Sequence, residues 1–250
     1  MTEWLGQRVE VLDKGWVELV DFMPHPSTGV SGDLAIVNAA RVSFLGESKG
    51  EAADKKLLFY LLRNAHTSPF EMVEFKFRVR APLVTWWQWV RHRTFHFQSV
   101  NAQSGRYTPF EEDDFYVPSV WRRQAKNNKQ ASEGEIDEGI SEAFRDQLIA
   151  HYDEGYRLYK QALDTGVSKE MARLFLPGFS VYYTWVIKID AHNLMGWLKL
   201  RLASDAQYEI RVYAEAIYEH FFKPALPWTA EAFEQYSLAG ESPLKPDGSA

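Results

Sequence analysis

Residues Val73 to Ala81 alternate without a break. Val73, Phe75, Phe77 and Val79 are apolar, and Glu74, Lys76, Arg78 and Arg80 between them are charged. A period of two places one set against a core and the other in water, which is the pattern of a half-buried strand. Two further strand signals stand apart from it in sequence. Arg8 to Val20 reads as a hairpin turned by Asp13-Lys14-Gly15, and Ser180 to Ile189 is rich in aromatic and β-branched residues. Helical periodicity fills much of the rest. A helix capped by Asp33 is expected over Leu34 to Val42, and another over Glu51 to Arg63 with Leu57, Leu58, Leu61 and Leu62 on one face. Pro82 opens Leu83 to Arg93. Ile140 to Leu163 is long, amphipathic and ended by Gly166; Lys169 to Leu176 follows. Asp190 caps a helix running to about Leu202, Asp205 opens one ending before Pro224, and Thr229 begins a short last one. Phe95 to Pro118 reads as mostly irregular, 122–139 as a mobile charged insertion, and 239–250 as a frayed tail. The pattern predicts one α+β domain spanning 1–250.

Composition limits the chemistry. The chain contains no cysteine, which excludes disulfides, thiolate metal sites, iron–sulfur clusters and a cysteine nucleophile. No apolar run is long enough to span a bilayer, and Met-Thr-Glu-Trp at the start resembles no secretory signal, so a cytoplasmic protein without membrane contact is expected. Aromatics make up 15% of the chain, enough to serve both the core and stacking on planar ligands.

Charge is unevenly placed. The chain carries a net −6, yet Phe75 to Phe110 contains no Asp or Glu, where about five would be expected from the overall content. Lys76, Arg78, Arg80, Arg91, Arg93 and Arg106 all lie in that window. A positive field confined to one segment of an acidic chain suits a bound anion better than a nucleic-acid surface. Arg91 and Arg93 can complement a helix dipole or bind that anion. Ser99, Asn101, Gln103, Ser104 and Gly105, closed by Arg106, supply the small-residue turn and guanidinium that phosphate binding uses. Arg173 and Arg201 have apolar sequence neighbours and need a counter-charge or a ligand if buried, a surface ion pair being the alternative. His92 and His96 are spaced for a metal on a helix, but no third ligand accompanies them and no metal is expected.

Arg91-His92-Arg93, followed by Ser99-Val100-Asn101-Ala102-Gln103-Ser104-Gly105-Arg106-Tyr107, resembles the signature of the flavin-dependent thymidylate synthases. The resemblance extends through Val11 to Gly15, Ala39 to Ser43, His66 to Glu71, Gln88-Trp89, Ala172 to Pro177 and Leu198 to Glu209. It implies an α+β subunit with an antiparallel sheet and long helices, assembled as a homotetramer with sites shared between subunits. It further implies methylation of dUMP to dTMP, with methylenetetrahydrofolate as carbon donor, FAD as hydride carrier and NADPH as reductant.

The same resemblance assigns roles. Arg201 activates the uracil, and Ser104 positions the substrate. Gln88, Arg91, Gln103, Ser104, Gly105, Arg106 and Arg173 bind dUMP. His66, Ser68, Arg91, His92, Arg93 and Thr94 bind FAD, with Asp190, His192 and Gly196 at further flavin positions. No Gly-x-Gly-x-x-Gly fingerprint is present, so a Rossmann mode of dinucleotide binding is not expected. The chain departs from the family pattern in a longer spacer between Arg93 and Ser99. Ala102 stands where Glu is usual, Asp190-Ala191-His192 where Asn-x-Arg is frequent, and Gly196 at a frequent Asn. Two other readings follow from these features: a flavoprotein of the same fold with an altered substrate, and a module stacking single-stranded nucleic acid on Trp86 to Tyr107.

Overall fold

The computed structural model describes residues 3–91, 99–129 and 131–239. Its centre is a five-stranded sheet, antiparallel throughout. β1 (Arg8–Val11) and β2 (Gly15–Met23) form the expected hairpin. Gly15 is required there, because a Cβ would lie 2.7 Å from the Val11 carbonyl oxygen and 2.8 Å from that of Arg80. β3 (Glu74–Pro82) is the alternating segment, and it pairs with β7 (Tyr182–Asp190) from Glu74↔Asp190 to Pro82↔Tyr182. The alternation has the expected result. Phe75, Phe77 and Val79 are buried, while the other face carries ion pairs such as Arg78–Glu18 at 2.9 Å and Lys188–Glu74 at 2.9 Å.

α1 (Gly32–Arg41) and α2 (Glu51–Arg63) lie between β2 and β3 in the chain, and α3 (Leu83–Trp89) follows β3. The cap of α1 is Ser31, whose Oγ accepts from the Leu34 N–H, and not Asp33 as expected. Asp33 is buried instead, accepting from Thr229 Oγ1 at 2.6 Å and from the Trp228 N–H at 2.8 Å. It ties α1 to the C-terminal helices, and burial raises its pKa above the ordinary aspartate value despite these bonds.

β4 (Ser99–Ala102) is a strand inside the segment expected to be irregular, and it pairs with the far side of β7 to complete the order β1-β2-β3-β7-β4. β5 (Arg122–Gln124) and β6 (Ser132–Glu135) form an antiparallel hairpin where a mobile insertion was expected. Asp137 then caps α4 (Glu138–Asp164). α4 and α5 (Lys169–Ala172), the latter continued by a 3₁₀ turn at Arg173–Phe175, enclose a second core with Phe110, Phe115, Tyr152, Tyr159 and Val181.

α6 (Ala191–Arg201) starts at the expected Asp190 cap. α7 (Tyr208–Ile217) begins after Gln207, later than the expected Asp205, and runs through a π turn at Tyr218–Phe222 into α8 (Lys223–Ala225). α9 (Pro227–Phe233) ends in a π turn at Glu234–Leu238. These helices cover the apolar face of the sheet. Phe221 packs on Phe77, Phe222 on Phe75, and Tyr213 donates to the Arg80 carbonyl at 2.7 Å. Trp89 stacks on Trp197 at 4.5 Å and meets Trp185 edge-on, so these three buried rings belong to the core and not to a ligand surface.

Candidate functional site

The first group of site residues grows from the edge of the sheet. Gln103 continues the β4 pairing, its N–H donating to the Thr184 carbonyl at 2.8 Å and its Oε1 accepting from the Thr184 N–H at 3.3 Å. The chain then turns at Ser104. Its carbonyl accepts from the Tyr107 N–H at 3.0 Å, and its Oγ accepts from the Arg106 N–H at 3.3 Å. Gly105 is buried against Phe110, and a Cβ would come within 2.5 Å of that ring. Beside the turn lies α5. Lys169 donates to the Tyr107 carbonyl at 2.9 Å, Arg106 lies 3.5 Å from Glu170, and Arg173 donates to the Glu170 carbonyl at 3.3 Å. Three cations thus gather around one short turn. Arg173 is exposed, as are Met171, Leu174 and Phe175, so its apolar sequence neighbours do not bury it.

The second group lies where α3, the end of α6 and the start of α7 meet. Arg201 is half-buried, and its Nη2 donates to the Gln88 carbonyl at 2.9 Å. Its Nε is buried with no hydrogen-bond partner, and no ion pair to Arg201 forms among the described residues. Burial pushes the guanidinium pKa down, although arginine remains a cation. Gln88 donates through Nε2 to Gln207 Oε1. Gln207 donates in turn to Glu209 Oε2 at 2.8 Å, and the other oxygen of Glu209 accepts from Arg122 at 2.6 Å and Tyr116 at 3.3 Å. Burial would raise the Glu209 pKa, but hydrogen bonds from Arg122 and Gln207 and the charge of Arg122 outweigh it, leaving the carboxyl below its ordinary value. Burial and the Glu209 charge push the Tyr116 phenol far up.

A third group surrounds the start of α6. His66 follows α2 after Ala65, which has φ 54°, and its exposed ring meets Tyr60 edge-on. Ser68 opens the 3₁₀ turn Ser68–Met72, and His192 lies 3.5 Å from Glu71 of that turn. His192 and Gly196 line a shallow cavity of about 150 Å³ with Leu62, Thr67, Met195 and Lys199. Asp190, placed by the resemblance at a flavin position, lies at the start of α6. It is fully buried, and its oxygens accept from the Asn193 N–H at 2.8 Å and Asn193 Nδ2 at 2.5 Å. Its place is that of a helix cap behind His192. Arg91 is exposed at the end of a described segment, whereas His92, Arg93 and Thr94 lie outside the described residues.

This cavity suits part of a dinucleotide: His192 and Lys199 suit phosphate, and Leu62 and Met195 suit a ring. Its volume lies below the roughly 300 Å³ at the lower end of small-molecule sites.

The fold and these three groups define an α+β protein with clustered cations at a sheet edge and a separate arginine that has no carboxylate partner among the described residues. Residues 18–228 match the family model Thy1, described as thymidylate synthase complementing protein. The flavin-dependent thymidylate synthase of Thermus thermophilus is 47% identical over 93% of this chain and 80% of its own length. That of Dictyostelium discoideum is 42% identical over 92% of this chain and 75% of its own. Among solved structures, the UMP/dUMP methylase PolB from Streptomyces cacaoi bound with 5-Br dUMP superposes with a TM-score of 0.77 at 32% identity, covering 92% of this chain and 98% of that one. The chain belongs to the flavin-dependent thymidylate synthase family of enzymes.

Glu209, Gln207 and Arg122 form contacts that sequence reasoning did not anticipate. Glu209 offered a signal, as an acid set directly before the apolar Ile210 in the first turn of a helix. Arg122 offered none, because it opens a charged run that reads as solvated.

Proposed function

We propose that this protein methylates dUMP to dTMP, with methylenetetrahydrofolate as carbon donor, FAD as hydride carrier and NADPH as reductant. The observation that carries this reading is Arg201, a half-buried cation with an unpartnered Nε and no carboxylate paired to it among the described residues. A desolvated guanidinium without a counter-charge is costly, and a ligand that develops negative charge beside it relieves that cost.

The chemical task is to make C5 of uracil nucleophilic. Adding a thiolate at C6 would do so, but this chain has no cysteine. In this reading Arg201 stabilises negative charge on the pyrimidine ring without a covalent bond. Gln88, whose carbonyl holds Arg201, contacts the same nucleotide, as does Arg91. The phosphate sits at the Gln103-Ser104-Gly105-Arg106 turn, where Arg106 and, on the neighbouring helical segment, Arg173 supply guanidinium donors. Ser104 positions the substrate. Its Oγ is engaged by the Arg106 N–H, and no general base bonds to it among the described residues.

FAD, when bound, supplies the hydride that completes the methyl group. His66, Ser68, Arg91, His192 and Gly196 hold it, together with His92, Arg93 and Thr94, while Asp190 fixes the helix that carries His192. In this reading a second subunit within a homotetramer completes each site.

The acceptor can also be the ribonucleotide, since the solved neighbours are UMP/dUMP methylases. The test is anaerobic incubation of the reduced holoenzyme with methylenetetrahydrofolate and either dUMP or UMP. Formation of dTMP from dUMP is the expected result. Methylation of UMP alone transfers the reading to the ribonucleotide, and no methylation of either overturns it.

A further inference from the structure

We infer that Glu209 is a positioning residue for nucleotide binding, acting through Gln207 on Gln88 and so on the wall that holds Arg201. This rests on the proposed role of Gln88 and Arg201 in dUMP binding. Two hydrogen bonds link Glu209 to the Gln88 side chain, and the Gln88 backbone holds Arg201. Glu209 Oε2 accepts from Gln207 at 2.8 Å, Gln207 Oε1 accepts from the Gln88 side-chain amide, and the Gln88 backbone carbonyl accepts from Arg201 at 2.9 Å.

The direction of each bond follows from what Glu209 is. An ionised carboxylate only accepts, so Gln207 must turn its NH₂ toward Glu209. That leaves the Gln207 oxygen facing Gln88, and Gln88 must then present its own NH₂ to Gln207. The remaining oxygen of the Gln88 amide is therefore free of this series and available as an acceptor toward a bound ligand. The uracil ring edge offers an N–H at N3 between two carbonyls, so an oriented acceptor near it has a partner. Reversing the amides would present a donor in its place. Glu209 thus selects which end of Gln88 faces the nucleotide.

Arg122 keeps Glu209 ionised and in place. It lies 2.6 Å from Oε1, with its guanidinium 4.7 Å from the Tyr208 ring centroid, and Tyr116 donates to the same oxygen. Arg122 is the first residue of β5, so the β5–β6 hairpin is anchored to this network and supports it from outside the sheet.

Glu209→Gln tests the inference, because glutamine keeps the shape but can present its NH₂ to Gln207 and reverse the series. Gln207→Met cuts the series while leaving the Glu209–Arg122 pair intact. Binding of dUMP to the flavin-loaded enzyme is measured by calorimetry for the wild type, both single variants and the double variant. Thermal midpoint and flavin content are recorded for each. Each single variant should bind dUMP about tenfold more weakly, and the double variant should be no weaker than either single, because both break one series. Additive losses in the double variant would overturn the inference. So would wild-type affinity in Glu209→Gln, even with a lowered thermal midpoint, since Glu209 would then only stabilise the fold. Failure of the wild type itself to bind dUMP would overturn the reading on which the inference rests.

Discussion

Arg201 and Arg106 are given to the same proposed ligand but stand in opposite surroundings. Arg201 closes α6 over the main core, half-buried and without a carboxylate partner among the described residues. Arg106 projects from a turn above the smaller core, with 62% of its side chain exposed and Glu170 within 3.5 Å. Water and Glu170 already satisfy much of the charge on Arg106, whereas little satisfies that on Arg201. The difference teaches that charge count alone does not rank a site. A cation removed from water acts strongly on charge that develops during reaction, while an exposed one mainly attracts a charge that is already present.

The largest effect is expected at the buried member. Arg201→Lys keeps a positive charge but loses the planar fork and its spread of donors. Loss of one preorganised donor of this kind costs about 3 kcal/mol in the transition state, or about a hundredfold in turnover. Turnover at saturating dUMP should fall by that order, with flavin content unchanged. Wild-type turnover in this variant would remove Arg201 from the activating role and erase the distinction between the two arginines.

Arg106→Ala should act on binding instead. The dUMP dissociation constant should rise about tenfold at low salt, with turnover at saturation nearly preserved, because a phosphate contact serves ground and transition states alike. Calorimetry and steady-state rates separate the two parameters. A loss confined to turnover would place Arg106 with Arg201 in the chemistry.

The two neighbourhoods also differed in how plainly the sequence announced them. β3 was readable because each second residue meets a continuous core, so local pattern and tertiary environment agree. α2, α6 and the β1–β2 hairpin were readable for the same reason. β4 was not: Ser99-Val100-Asn101-Ala102 has little intrinsic strand character and is extended because β7 offers an open edge. The β5–β6 hairpin was missed because its run of charges reads as solvated, yet Arg122 is drawn inward by Glu209, a residue distant in sequence. Asp33 shows the same limit. Its position before an apolar run suggests a cap, and only the approach of Thr229 reveals a buried tether. The turn proposed to bind phosphate stood out through its composition and the family resemblance, whereas the support behind Gln88 depends on contacts across the chain.

The smallest expected effect sharpens the comparison from the exposed side. Glu170 neighbours Arg106 through its carboxylate and Arg173 through its backbone carbonyl. Glu170→Gln removes the competing charge but leaves the carbonyl that holds Arg173. If the turn binds phosphate through an attractive field, dUMP should bind about two- to threefold more tightly at low ionic strength, since exposed pairs interact weakly. The gain should vanish near roughly 0.5 M salt, where screening acts over a few ångströms. Calorimetric titrations at the two salt concentrations measure both parts. Weaker binding in Glu170→Gln would mean that the carboxylate holds Arg106 in its working position and does not compete for it. The turn would then resemble the Arg201 wall, where an acid also acts by orienting its neighbours, and the contrast between the two regions would lie in burial alone.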